Sequence, residues 1–153
     1  MRNPKFKLAR GFTLVEILVT AAILAFSLCG LLASYTNMFL LADLVQGFTL
    51  TTNTIQAKME EIKKTNFDSL LSLNKATFDL GGFASSDGKG VIEVTNTAYS
   101  DLRRVRIIAC FRIHGRIIGE DKNLDGNLSQ GEDTLISNGR LDSPLELITL
   151  IAR

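Results

Sequence analysis

Uncharged, mostly apolar residues run without interruption from Ile17 to Ala42. At ~1.5 Å of rise per residue a helix of that length crosses a hydrocarbon core ~30 Å thick, so the pattern predicts one transmembrane helix. Beyond it Leu44, Phe48, Ile55, Met59 and Ile62 fall on one stripe at spacings of 4, 7, 4 and 3, which predicts an amphipathic extension over 43–66, helical to about Thr65. On its solvent side Glu60 is expected to pair with Lys64 one turn later, worth a few tenths of a kcal/mol (~0.3). Gly47 and the threonines at 49, 51, 52 and 54 weaken the middle of this stretch, and a local bend near Gly47 is expected.

After Thr65 the period changes. Asp68 can cap a short helix ending at Leu73, and Gly81-Gly82 and Ser85–Gly90 mark loops. Gly90–Thr97 reads as a strand, and Arg103–Ile113 alternates most clearly. In that strand Val105, Ile107, Ala109, Phe111 and Ile113 share the face expected to pack on the long helix, opposite Arg104, Arg106, Ile108, Cys110 and Arg112. His114-Gly115 predicts a tight turn into a short strand, Arg116–Gly119, and Leu145–Ile151 supplies a last strand that begins after Pro144, where no ladder bond is lost. The expected fold is α+β, a long N-terminal helix packed on a small antiparallel β-sheet. Its parts are a basic segment 1–11, a membrane helix 12–42, the extension 43–66 and a globular β-sheet domain 67–153.

Charge changes this picture at the N-terminus. Arg2, Lys5, Lys7 and Arg10 precede the apolar run with no acid among them, which places that end on the cytoplasmic side and the rest beyond the membrane. One acid, Glu16, stands at the head of the run, where desolvating a carboxylate costs a few kcal/mol (~3) unless a cation meets it. No Lys or Arg in the helix can do so. A cut between Gly11 and Phe12 would create an α-amino group one turn before Glu16, available to a neighbouring copy.

The residues Gly11-Phe12-Thr13-Leu14-Val15-Glu16, preceded by the basic leader, resemble the processing signal of type IV prepilins and type II secretion pseudopilins. The resemblance implies a leader ending at Gly11, removed by a membrane-embedded prepilin peptidase, and N-methylation of the new terminal Phe12. It implies that Glu16 pairs with an adjacent subunit's amine during assembly. An ordinary secretory signal fits poorly, because its apolar region is only 7 to 15 residues long and holds no acid. A lipoprotein signal anchored at Cys29 fails on Leu28, which is too large for the position before the anchor. A plain membrane anchor with an incidental glutamate is the remaining alternative.

The second candidate site is Asp121-Lys122-Asn123-Leu124-Asp125-Gly126-Asn127-Leu128-Ser129-Gln130-Gly131-Glu132. It matches the twelve-residue calcium-loop pattern at positions 1, 3, 5, 6 and 12. Side-chain oxygens of Asp121, Asn123, Asp125, Ser129 and Glu132, with the Asn127 carbonyl, would supply the six or seven ligands that calcium takes, and Gly126 the sharp turn. The flanks lack the helix pair of an EF-hand, so the alternatives are a calcium loop without that frame and a solvated polar turn. Asn138-Gly139-Arg140-Leu141-Asp142 looks like a weaker echo of Asp125–Ser129.

Composition excludes more than it suggests. The formal charge is +1, and without the leader about −3, so nucleic acid is not an expected partner. One histidine and two cysteines, Cys29 in the membrane run and Cys110 in a strand, support neither a catalytic constellation nor a disulfide framework, and no enzyme is expected. Two function classes stay open. One is a structural subunit, a minor pseudopilin or minor pilin that enters a fibre through its helix, with the prepilin peptidase, the inner membrane and other pilin or pseudopilin subunits as partners. The other is a minor type IV pilin acting as a tip binding module in adhesion or DNA uptake, through the face of Arg104, Arg106 and Arg112. Family members that form long pili commonly carry a C-terminal disulfide or a helix proline where this chain has Ala33, which tilts the resemblance toward pseudopilins and protein secretion.

Overall fold

The computed structural model describes residues 12–134 and 137–153. A helix α1 (Leu14–Lys63) is followed by a 3-10 helix (Phe67–Leu73) and five strands, β1 (Ala76–Asp79), β2 (Gly88–Asn96), β3 (Leu102–Ile113), β4 (Arg116–Ile118) and β5 (Glu146–Ala152). The chain divides into two compact units, one ending at Leu41 and one from Ala42 to Arg153.

In the first unit every described residue is exposed. Its hydroxyls bond back to the helix. Thr20 donates to the Glu16 carbonyl (2.9 Å), Ser27 to that of Ile23 (2.8 Å) and Ser34 to that of Gly30 (2.9 Å). Such bonds leave these three hydroxyls satisfied within the helix itself, as a span in lipid requires. This is the one helix among the described residues long and apolar enough to cross a membrane.

In the second unit the last turns of α1 bury Gly47, Thr51, Ile55, Met59 and Ile62. Ile55, Met59 and Ile62 form one core with Leu70, Leu80, Ile92, Val94, Val105, Ile107, Ala109 and Phe111, so the face of β3 expected to meet the helix does so. The expected bend at Gly47 is absent, since α1 runs continuously through it. A Cβ there would sit 2.3 Å from Ile113 Cδ1 and 3.1 Å from Phe111 Cε2, so the glycine serves close approach of helix and sheet. The helix also ends earlier than Thr65, and Glu60 pairs with Lys63 (2.7 Å), not Lys64, while Lys58 pairs with Glu61 (2.8 Å). The chain leaves helical geometry at Lys64, which takes that side chain off the expected row.

All strand pairings are antiparallel, in the order β1-β2-β3-β4, with β5 also on β3. The long β3 therefore has β2 on one flank, and on the other β5 along residues 102–108 and β4 along 111–113. Where that flank changes partner, Ser143 Oγ donates to the Ala109 carbonyl (2.6 Å). His114 (φ 50°) and Gly115 (φ 77°) make the tight turn into β4, both in the left-handed region that such two-residue hairpins demand. His114 Nε2 also lies 2.8 Å from Asp43 Oδ2. The short helix is 3-10 rather than α, and its cap is Asn66 rather than the expected Asp68: the Asn66 side chain accepts from the Asp68 amide (3.1 Å). Strand β1 has no counterpart in the sequence reading.

The outer face of the sheet is also covered. Val91, Ile108 and Cys110 form a second small core with Leu124 and Leu141, against which Leu128 packs. The polar segment after β4 is thus a lid over that face, held by its leucines.

Candidate functional site

The head of α1 is the first site. Gly11 and the leader 1–11 lie outside the described residues. Thr13 caps the helix: its carbonyl accepts from the amides of Glu16 (3.1 Å) and Ile17 (3.2 Å), and its Oγ1 accepts from the Glu16 amide (3.3 Å). Thr13 and Glu16 stand in the S/T-x-x-E spacing of a capping box, of which only the Thr13 half is made here, a capping role for Thr13 that the sequence reading passed over. Phe12 is 77% exposed. Glu16 is exposed, and among the described residues its carboxylate has neither a hydrogen bond nor an ion pair. It therefore remains a charge at the start of an apolar helix with its partner still to be supplied.

The 121–132 loop is the second site. Asp121 is fully buried, and its carboxylate accepts from the amides of Asp125 (3.2 Å) and Gly126 (2.7 Å). Asn123 Oδ1 accepts from the Asp125 amide (3.0 Å) and Asp125 Oδ1 from that of Asn127 (2.7 Å). Glu132, 5% exposed, closes the loop by accepting from the amides of Lys122 (3.0 Å) and Ser129 (2.8 Å). Gly126 sits at φ 83°, and a Cβ there would meet Thr77 Cγ2 at 2.5 Å, so both conformation and space require glycine. Burial pushes the Asp121 carboxyl above its ordinary value and the Asp125 charge adds to this, against the amides of Gly126, Asp125 and Leu124. The donors are all hard oxygens, and neither Asp121 nor Glu132 has a basic side chain paired with it among the described residues. That chemistry fits calcium. Among those residues no three His, Cys, Asp or Glu side chains converge as a metal-holding group, because these carboxylates are turned onto the loop's own amides.

The echo in sequence is an echo in structure. Asp133 accepts from the amides of Asn138 (3.2 Å) and Gly139 (2.8 Å), with Gly139 at φ 71°, as Asp121 does from Asp125 and Gly126. Glu120 ties the two turns together, accepting from the amides of Thr134 (2.8 Å) and Asp142 (3.1 Å).

The arginine face is not a free basic patch. Arg106 is 8% exposed, and its guanidinium donates to Glu146 (2.9 Å), Glu93 (3.2 Å) and Asp142 (2.6 Å). Arg112 donates to the Lys122 carbonyl (3.4 Å) and lies 3.5 Å from Asp87. Arg104 is exposed and has no partner among the described residues, so one of the three arginines keeps a free guanidinium. The carboxylates that close on Arg106 come from β2, β5 and the 138–142 turn, three segments whose meeting no sequence spacing announces. The thiols do not pair: Cys29 is exposed and Cys110 buried, and burial pushes the Cys110 thiol up to about 11.

No curated protein and no solved structure matches the chain. Residues 6–32 match the family model described as the prokaryotic N-terminal methylation motif. That span takes in the second half of the basic segment with Lys7 and Arg10, the Gly11-Phe12 junction, Thr13, Glu16 and the first turns of the exposed helix. The chain thus bears, at the head of its apolar helix, a prokaryotic N-terminal methylation motif of the kind that type IV pilin-like proteins carry.

Proposed function

We propose that the protein is a minor pseudopilin or minor pilin, cut between Gly11 and Phe12, N-methylated at Phe12 and assembled through α1 into a periplasmic pseudopilus or pilus that serves protein secretion. The observation that carries this reading is the Glu16 carboxylate, without a hydrogen bond or ion pair among the described residues, at the head of an apolar helix whose first buried residue is Gly47. Before assembly the single-pass helix sits in the inner membrane, basic end cytoplasmic. On assembly a neighbour's terminal amine meets Glu16, and small residues such as Ala21, Ala22, Ala25 and Gly30 let helices approach closely. Intact-mass analysis of the mature protein tests the processing step; any N-terminus other than methylated Phe12 overturns it. Glu16→Ala is expected to leave the protein membrane-bound and cleaved yet absent from sheared fibres. Normal incorporation would refute the role given to the carboxylate.

Calcium in the 121–132 loop belongs to the same proposal. Asp121, Asp125 and Glu132 would hold it with oxygens of Asn123, Asn127 and Ser129, and the ion would supply the positive charge that these carboxylates lack. Its part is to fasten the lid on the outer sheet face, and affinities on the order of 10⁻⁴ to 10⁻³ M suffice outside the cell.

A further inference from the structure

The contacts of β3 with α1 run in one direction. Phe111 meets the Phe48 ring edge-on, with centroids 5.5 Å apart, Ile113 packs against Gly47, and His114 Nε2 lies 2.8 Å from Asp43 Oδ2. Each step toward the end of the strand thus meets an earlier residue of the helix, and the exposed turn His114-Gly115 is reached last. Asp43 is the first charge after the uncharged run Ile17–Ala42. As a helix that run is about 39 Å long, against ~30 Å of hydrocarbon and ~40–45 Å with both headgroup layers, so Asp43, the next residue, lies among headgroups. The turn that touches Asp43 lies there too.

We infer that the β3–β4 turn rests on the membrane from which α1 emerges, and that Arg116 there binds the phosphate of a glycerophospholipid headgroup. Arg116 is in register with Ile113, so it stands on the sheet face turned to α1. It is exposed, and among the described residues its guanidinium has neither a hydrogen bond nor an ion pair. Its charged neighbours are matched already: His114 faces Asp43, and Arg112 lies 3.5 Å from Asp87. A free guanidinium suits a phosphate, which accepts two parallel N–H bonds from it. Beside the turn a cleft of about 250 Å³ is lined by Gln46, Leu50, Phe83, Ile113 and His114. The apolar side chains of Leu50, Phe83 and Ile113, with the Gln46 amide, suit the first methylenes and the glycerol of the same lipid.

This inference rests on the single-pass reading of α1 and adds a lipid contact to it. Asp43, the turn and β4 all belong to the unit from Ala42 to Arg153, so the contact holds that unit as one body against the surface. Departure into a fibre would then break the bond from Arg116 to phosphate. Arg104 provides the contrast on the same strand. It too is exposed and unpaired among the described residues, but it stands about 30 Å along β3 from Ile113, beyond the reach of the headgroup layer.

Arginine modification reads the contact in the unaltered full-length protein. With hydroxyphenylglyoxal and peptide mass spectrometry, the ratio of Arg116 to Arg104 modification is expected to fall at least about fivefold between maltoside micelles and vesicles of phosphatidylethanolamine and phosphatidylglycerol. That protection should vanish in vesicles of galactolipid, whose headgroups carry no phosphate, and should not appear when inorganic phosphate is added to the micelles. Protection that persists in galactolipid would come from the bilayer alone, and protection by inorganic phosphate would give Arg116 to a free anion; either overturns the inference. Protein that fails to float with the vesicles would overturn the single-pass reading together with this one. Floating protein with an unchanged ratio would overturn this one alone.

Discussion

Replacing Arg106 by methionine removes the one cation among three carboxylates while keeping most of the side chain's length. The Arg106 side chain is 10% exposed, Asp142 15%, Glu93 23% and Glu146 39%. Breaking a buried ion pair from one side costs ~3–5 kcal/mol, and Glu146 can turn to water and recover part of its share, so a loss of about 3 kcal/mol is expected. Cys110 on the same strand reports it. Its thiol is buried and at about 11 stays protonated at pH 8, so iodoacetamide reaches it only when the sheet opens. Three kcal/mol corresponds to labelling faster by ~100-fold, with a free thiol in solution as the rate standard. A change below about fivefold would refute the account of Arg106 as the charge that holds the 138–142 turn to β2 and β5.

Gly47→Leu should destabilise the sheet by about 1–3 kcal/mol through overpacking against Ile113 and Phe111, whereas Gly30→Leu, with open space around its Cβ position, should leave Cys110 labelling unchanged. Because the Cys110 thiol is raised from 9.0 to about 11, its contribution to stability is complete below pH 9 and lost as pH rises through 11; unfolding followed over that window should show a drop of about 2–3 kcal/mol that Cys110→Ala lacks. In the loop, Asp125→Ala should lower the thermal midpoint of Cys110 protection with calcium present and by much less in chelator, and an equal drop in both would remove the calcium proposal. The raised Asp121 carboxyl gives that experiment a pH sign: without calcium the ionised form is a cost to folding, so chelated protein should gain stability as pH falls through the raised value of the folded state toward the ordinary carboxylate range.

What the sequence disclosed follows from periodicity. The 55-59-62 stripe and the alternation of Arg103–Ile113 each impose a face, and the structure uses those faces as expected. What it hid depends on contacts between distant segments. Gly47 reads as a helix weakness until Ile113 is seen against it. The leucines at 124, 128 and 141 read as scattered residues in a polar loop, because only the fold shows that Ile108 and Cys110 need a cover. Arg106 looks solvated because its three acids lie 13, 36 and 40 residues away. Strand β1 escapes notice because four residues carry too little period to register. At the N-terminus the motif is legible because peptidase and capping chemistry both act on contiguous residues.

The partner change along the second flank of β3 also bears on the order in which the sheet can form. The β2–β3 connection is residues 97–101 and the β3–β4 connection is His114-Gly115, whereas β5 returns to β3 only after residues 119–145. Closing the longer loop costs about 1.5 kcal/mol more entropy than closing the five-residue one, so the hairpins are favoured to form first and β5 last. Each carboxylate turn in 120–142 shortens the free chain between β4 and β5 and so hastens that final step. Until it happens, residues 102–108 of β3, the strand that supplies the most residues to the two cores, lack a partner on that flank.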